Sequence, residues 1–260
     1  MTTSTMQDKR KKFLTYTAVA AFWFVTWQLL SRSIGQEILL PSATAVAGTL
    51  LRLWGTADFW LSVCASLLRV LVGFCGAVAV GTALAMLTCR FHLLHTLFSP
   101  LLHIVRAAPV ASFIILAYFW IETDLLPAFI AFLMVVPMVW ANVSQGIRQT
   151  DGKLLEMAKV YRLSRGKILR HVWLPSVKPY FLAACTTGLG FAWKSGIAAE
   201  VIAKPMFSIG KNLQDAKVYL ETPELFAWTL VVILLSLALE KGLKAVLKRI
   251  NGQEGRRAKR

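Results

Sequence analysis

Charge is scarce in this 260-residue chain: Asp, Glu, Lys and Arg make up 16% of it, against roughly 25% in soluble domains. Acid is scarcest, with 13 Asp and Glu against 29 Lys and Arg, for a net charge of +16. Cysteine is sparse as well. Cys64, Cys75, Cys89 and Cys185 form no C-x-x-C pair, which excludes a small disulfide framework and leaves them as packing residues. No G-x-x-x-x-G-K-[ST] loop, H-E-x-x-H or G-x-S-x-G occurs, so the chain has no ATPase machinery of its own and no catalytic residue is assigned. His92, His95, His103 and His171 lack a carboxylate or thiolate to complete a site, so no metal is expected. What abounds is apolar surface: 57% hydrophobic residues, nine Trp and fifteen Phe, a composition that excludes intrinsic disorder. The chain reads as an all-α, polytopic membrane protein.

About 20 helical residues cross the roughly 30 Å of bilayer hydrocarbon. Residues 13–31, 70–89 and 125–147 reach or approach that length without a charge. Three weaker segments bring the count to six transmembrane helices. Residues 107–121 are short and must borrow from around Arg106. Residues 179–203 are interrupted by Lys194 and Glu200, and residues 225–239 lean on a basic tail that can snorkel. The expected organisation is a basic segment at 1–12, a single membrane domain at 13–250 with a long polar loop at 148–178, and a basic tail at 251–260. The cluster Lys9-Arg10-Lys11-Lys12 resembles a secretory signal, but the apolar run after it is too long and lacks a small-x-small site, so it reads as a retained helix.

Orientation follows from the basic residues. With a cytoplasmic N-terminus, 21 Lys and Arg fall inside and 5 outside, and the other three lie within spans. Both termini and the 148–178 loop are therefore expected on the cytoplasmic side of the membrane. The net charge is a topology signal rather than a nucleic-acid footprint.

The loop carries the most information. Asp151 is placed to cap a first short helix, on which Leu154, Ala158 and Tyr161 share a stripe with Leu155 beside it. Ser164 is placed to cap a second, expected to end near Leu174 because Pro175 disfavours helix in its predecessor. A basic loop resting on anionic lipid headgroups would have the same composition.

The spacing resembles the permease subunits of ABC importers, whose cytoplasmic loop reads E-A-A-x3-G-x9-I-x-L-P. Glu156, Ala158, Val172, Leu174 and Pro175 fall on that register, while Met157, Arg162 and Val172 depart from Ala, Gly and Ile. The Gly lets the loop turn, so either Arg162 turns without it or Gly166 takes over. Residues 39–42 (Leu-Leu-Pro-Ser), the run from Ser66 and Arg69 to Phe74, Arg106-Ala-Ala-Pro109 and Ala199-Glu200 resemble the sulfonate, taurine and nitrate branch over roughly residues 38–250. The resemblance implies a type I importer permease fold, a second permease copy, two cytoplasmic ATPase subunits that bind ATP and Mg, and a periplasmic or lipid-anchored substrate-binding protein. The chain itself would bind no cofactor. The ATPase-coupling residues it implies are Glu156, Met157, Ala158, Arg162, Val172, Leu174 and Pro175.

Ionisable groups inside spans are costly and usually face protein or water, which makes Arg69, Arg106, Lys194 and Glu200 candidates for the translocation pathway. Lys194 and Glu200 are six residues apart, about 240° around a helix, so they do not face one another. Gly73, Ala77 and Gly81 form a small-residue face for close helix packing in lipid. Pro109, Pro127 and Pro137 are expected to kink or start helices.

The resulting expectation is the permease subunit of an ATP-driven importer of a small solute, a small anion by the branch it resembles. It is a conduit and not an enzyme. A vitamin precursor is the alternative solute. A secondary transporter would be expected to show repeat symmetry or matched broken helices in its two halves. A membrane enzyme would need a polar catalytic constellation, and an exporter-type domain would lack the 156–175 register.

Overall fold

A computed structural model describes residues 3–257, and no strand occurs among them. The elements are α1 (Thr3–Ile34), α2 (Ala43–Trp54), α3 (Ala57–Arg90), α4 (His92–Ala107), α5 (Val110–Ala117), α6 (Leu126–Arg148), α7 (Gly152–Val160), α8 (Arg165–Ile168), α9 (Leu174–Ala203), α10 (Ile209–Val218) and α11 (Thr222–Arg257). The six expected spans fall on α1, α3, the α4–α5 pair, α6, α9 and α11. By length and composition among the described residues, α3 and α6 can cross a membrane, while α4 and α5 pass only as a pair bent by 105°, the geometry of a broken span or a re-entrant loop.

That bend corrects the expected helix at 107–121. Ala108 precedes Pro109, which disfavours the helical region there, and Ala108 is extended at φ −77°, ψ 144°. Pro109 then opens α5 as its N-cap, and Pro127 lies in the first turn of α6, where its missing N–H costs no bond.

The contacts divide the chain into two units, Met1–Trp60 with Asn212–Val231 and Leu61–Lys211 with Val232–Arg260. In the first unit Ser42 caps α2, its Oγ accepting from the Ala45 amide at 3.2 Å. The ends of the α1–α2 connection are held by Trp27 Nε1 donating to the Pro41 carbonyl and Ser31 Oγ to that of Leu40, at 3.1 and 2.9 Å. Phe59 stacks on Trp228 with centroids 5.2 Å apart.

In the second unit α3, α6 and α9 pack closely through small residues. A Cβ built on Gly73 would lie 2.2 Å from the Ala128 carbonyl oxygen, and one on Gly81 would lie 2.8 Å from Val139 Cβ. Ala77 between them is fully buried. The small face of α3 is thus used against α6 of the same chain. Gly188 of α9 approaches Val135 of α6 in the same manner.

Candidate functional site

The 148–178 loop begins as its sequence dictates. Asp151 caps α7, its side chain accepting from the Lys153 amide at 2.8 Å. Ala158 is fully buried against the chain itself, with Leu155 half-buried, whereas Leu154 and Tyr161 are exposed. The expected Leu154–Ala158–Tyr161 stripe is therefore split between two faces. Round the exposed arc of α7 run Glu156, Val160, Lys153, Met157, Tyr161 and Leu154 in turn, a carboxylate and an ammonium among four uncovered hydrophobic side chains.

Arg162 makes the turn itself. Its φ is +48°, the left-handed region that favours glycine. The Leu163 amide donates to the Ala158 carbonyl at 2.9 Å and the Arg162 amide to that of Lys159 at 3.0 Å, the paired bonds of a Schellman cap. Gly166 lies inside α8 and takes no part in the turn.

The second loop helix does not stop at Leu174. Ser164 occupies the N-cap position of α8 without a side-chain cap bond, and a π-helical turn over Leu169–Trp173 joins α8 to α9. Leu174 stays helical at φ −60°, ψ −45°, despite preceding Pro175. The wider π turn shifts the amide partners by one residue, so the bond that Pro175 cannot donate is absorbed at the junction. Ser176 Oγ donates to the Val172 carbonyl at 2.8 Å, and Val172 is buried while Leu174 and Pro175 are exposed. The α8 half of the loop and α9 therefore form one continuous helical rod, with α7 set off by the Arg162 turn.

Near the other end of that rod lies a buried polar cluster. Glu200 is fully buried; its Oε2 accepts from Ser66 Oγ at 2.8 Å and from the Gly210 amide at 3.1 Å. Ser66 Oγ in turn accepts from the Ile209 amide at 3.0 Å. Glu200 and Ser66 thus satisfy the free amides of the α10 N-terminus, where negative charge is favoured. Only glycine fits at 210, since a Cβ there would lie 2.3 Å from Glu200 Cβ. Arg69 joins this cluster: Nη1 lies 3.7 Å from Glu200 Oε1 and donates to the Phe207 carbonyl at 3.1 Å. Its Nη2 reaches Asp124 Oδ1 and the Met206 carbonyl, both at 2.9 Å. Phe207, at φ +49°, and Lys204, at φ +54°, bend the α9–α10 connection so that its carbonyls meet the guanidinium.

Arg69 and Glu200 are thus brought together, and Lys194 and Arg106 lie elsewhere. Lys194 sits on an exposed stripe of α9 with Ala183, Thr187, Phe191, Ala198 and Ile202. No carboxylate pairs with it among the described residues. Arg106, in the last turn of α4, borders a cleft against α6. Asp124 and Gly210 escaped the sequence reading. The one available signal was that a carboxylate in a span needs donors, and a helix N-terminus ten residues downstream supplies them.

Residues 77–251 match the family described as the binding-protein-dependent transport system inner membrane component. The chain is 24% identical over 254 residues to the taurine transport system permease protein of Escherichia coli K12, covering 95% of this chain and 91% of that one. It is 27% identical over 226 residues to the nitrate import permease protein of Synechococcus elongatus, covering 80% and 78%. A bicarbonate transport system permease protein of the same species is 30% identical over 159 residues, 61% of this chain and 57% of its own. An inward-facing structure of the MetNI methionine ABC transporter shares the fold, with a TM-score of 0.57 at 14% identity, covering 74% of this chain and 93% of that one. Such permeases work with an ATPase and a substrate-binding protein. The chain belongs to this family of inner-membrane components and is the permease subunit of an ABC importer.

Proposed function

We propose that the chain forms the membrane pathway for a small anion, as a homodimer on two cytoplasmic ATPase subunits that bind and hydrolyse Mg-ATP. A periplasmic or lipid-anchored binding protein delivers the solute. The observation that carries the anion is Lys194, an unpaired cation nine residues, roughly 14 Å, from the end of α9. A charge held in lipid at such depth costs about 3 kcal/mol or more, so its stripe faces water or a second copy rather than acyl chains. A cation without a neighbouring acid concentrates anions and repels cations. The names of the taurine, nitrate and bicarbonate relatives support the same class. Arg69 and Glu200 serve this pathway from behind, by fixing α10 to α9.

The mechanism follows from the rod. The exposed arc around Glu156 seats on the ATPase, and closure of the ATPase pair on ATP moves α7 and α8. Because α8 continues into α9, that movement reaches the Lys194 stripe without an intervening hinge loop, coupling nucleotide state to the solute pathway. The test is uptake of labelled taurine, nitrate and bicarbonate by cells carrying the full transporter. Lys194→Met is expected to lower uptake of the transported anion at least about tenfold, the factor for roughly 1.4 kcal/mol, and Lys194→Arg to retain most of it. Undiminished anion uptake by Lys194→Met would remove the anion pathway as read here.

A further inference from the structure

A second polar site lies away from the Lys194 stripe, in the cleft between α4 and α6. His95, His103 and Arg106 stand on α4 at spacings of eight and three, which places them on one face. Ser144 and Arg148, four residues apart near the end of α6, stand opposite. Trp140 forms the floor; it is pinned by its Nε1 donating to Thr88 Oγ1 at 2.9 Å, and both imidazoles lie with centroids 6.1 Å from its ring. The cavity is about 280 Å³. That is below the roughly 300–1,000 Å³ of pockets for drug-sized ligands, and suits a small ion or a single headgroup.

Two independent features give this cleft a ligand chemistry. The first is charge: two guanidiniums border it, and no carboxylate does. The second is Ser144, whose residue is 6% exposed and whose Oγ is buried with no hydrogen-bond partner. A buried hydroxyl without a partner costs about 1–3 kcal/mol, so an acceptor that fills the cleft relieves a standing penalty. Guanidinium and hydroxyl donors lining one cleft match the several acceptor oxygens of an oxyanion.

We infer that the α4–α6 cleft binds an oxyanion group, with Arg106 and Arg148 supplying charge and Ser144 a hydroxyl donor. This inference does not require the anion to be the transported solute. Two sources carry the same chemistry, a free inorganic or sulfonate anion and the phosphate of an anionic lipid. The test uses the full chain, copurified with its ATPase, in nanodiscs of phosphatidylcholine with or without phosphatidylglycerol. The probe is radiolabelled inorganic sulfate. A free-anion site gives saturable binding in both lipids. A lipid site gives sulfate binding in phosphatidylcholine that phosphatidylglycerol displaces, with phosphatidylglycerol retained on the protein in native mass spectrometry. In either case the double variant Arg106→Gln/Arg148→Gln lowers the affinity at least about tenfold, the loss expected from charge-assisted hydrogen bonds. Ser144→Ala weakens binding several-fold, while its melting temperature without sulfate equals or exceeds that of wild type. Because both arginines are exposed, the double variant is expected to melt like wild type, and its melting curve confirms folding. Sulfate binding and lipid retention that are unchanged in the folded double variant, or absent from wild type, overturn the inference.

Discussion

Arg162 holds a left-handed backbone that glycine adopts without a steric penalty, and its side chain is exposed. Holding a non-glycine residue there costs on the order of 1 kcal/mol, part of which glycine loses again through its freer unfolded chain. Arg162→Gly is therefore expected to leave the loop intact and raise the melting temperature slightly, with transport retained; a lower melting temperature would show that the Arg162 side chain stabilises the loop. Glu200 presents the opposite case. Removing its carboxylate orphans the amide of Gly210 and leaves Arg69 facing an empty buried position. Each buried donor so orphaned costs about 1–3 kcal/mol, while Arg69 keeps its ion pair with Asp124 at 2.9 Å. Glu200→Ala is expected to lower the melting temperature sharply, while Glu200→Gln keeps an oxygen for Ser66 and Gly210 and loses less. Equal melting of the two variants would contradict the donor-anchoring role. Reading the sequence placed Arg69 and Glu200 together as costly charges. It could not see that their partners are backbone groups of the α9–α10 turn.

At the scale of the element, α7 has two faces with different obligations. Ala158 turns inward and is fully buried, so Ala158→Trp would disrupt the loop's own packing before it reached any partner. The exposed arc is the surface free to meet an ATPase, and Tyr161 is among the residue types that anchor interfaces. Losing one partner of a desolvated charge pair costs about 2–5 kcal/mol, and even the lower figure weakens association more than tenfold. Glu156→Ala and Tyr161→Ala are each expected to reduce ATPase recovery in a pull-down and abolish uptake at normal membrane levels. Lys159→Ala and Lys167→Ala should change little. If the lysine variants lose the ATPase and the Glu156 and Tyr161 variants keep it, the loop is held by charge on lipid or partner, and α7 is not the docking face.

For the whole molecule, the asymmetry of 21 basic residues against 5 predicts both termini and the 148–178 loop on the cytoplasmic side. Ser164 is exposed in the turn before α8, so a cysteine placed there is open to reagent. In intact cells, Ser164→Cys is expected to resist membrane-impermeant maleimide added from the periplasm, and to react once the inner membrane is opened. Labelling in intact cells would invert the topology and place the loop away from any cytoplasmic ATPase.

Class, helical content and the loop register were legible in the sequence because they rest on local signals: charge-free length, helical period and the Asp151 cap; Ser164, placed as the second cap, makes no side-chain cap bond. Ser66 and Glu200, 134 positions apart, share a hydrogen bond that no local pattern announces. The burial of Ala158 and the cleft between α4 and α6 likewise depend on which faces meet in space. Two departures from local preference are held by the backbone itself, since Leu174 and Arg162 are both exposed: a π turn keeps Leu174 helical before a proline, and the paired amide bonds to Ala158 and Lys159 hold Arg162's turn in a glycine's conformation. The sequence by itself determined a charge-poor helical membrane protein, since charge-free hydrophobic length suffices for that, and the permease family entered through the resemblance of its 156–175 register. Only the tertiary structure decided which charges pair and which are left facing an open stripe or cleft, since long-range contacts alone bring those groups together.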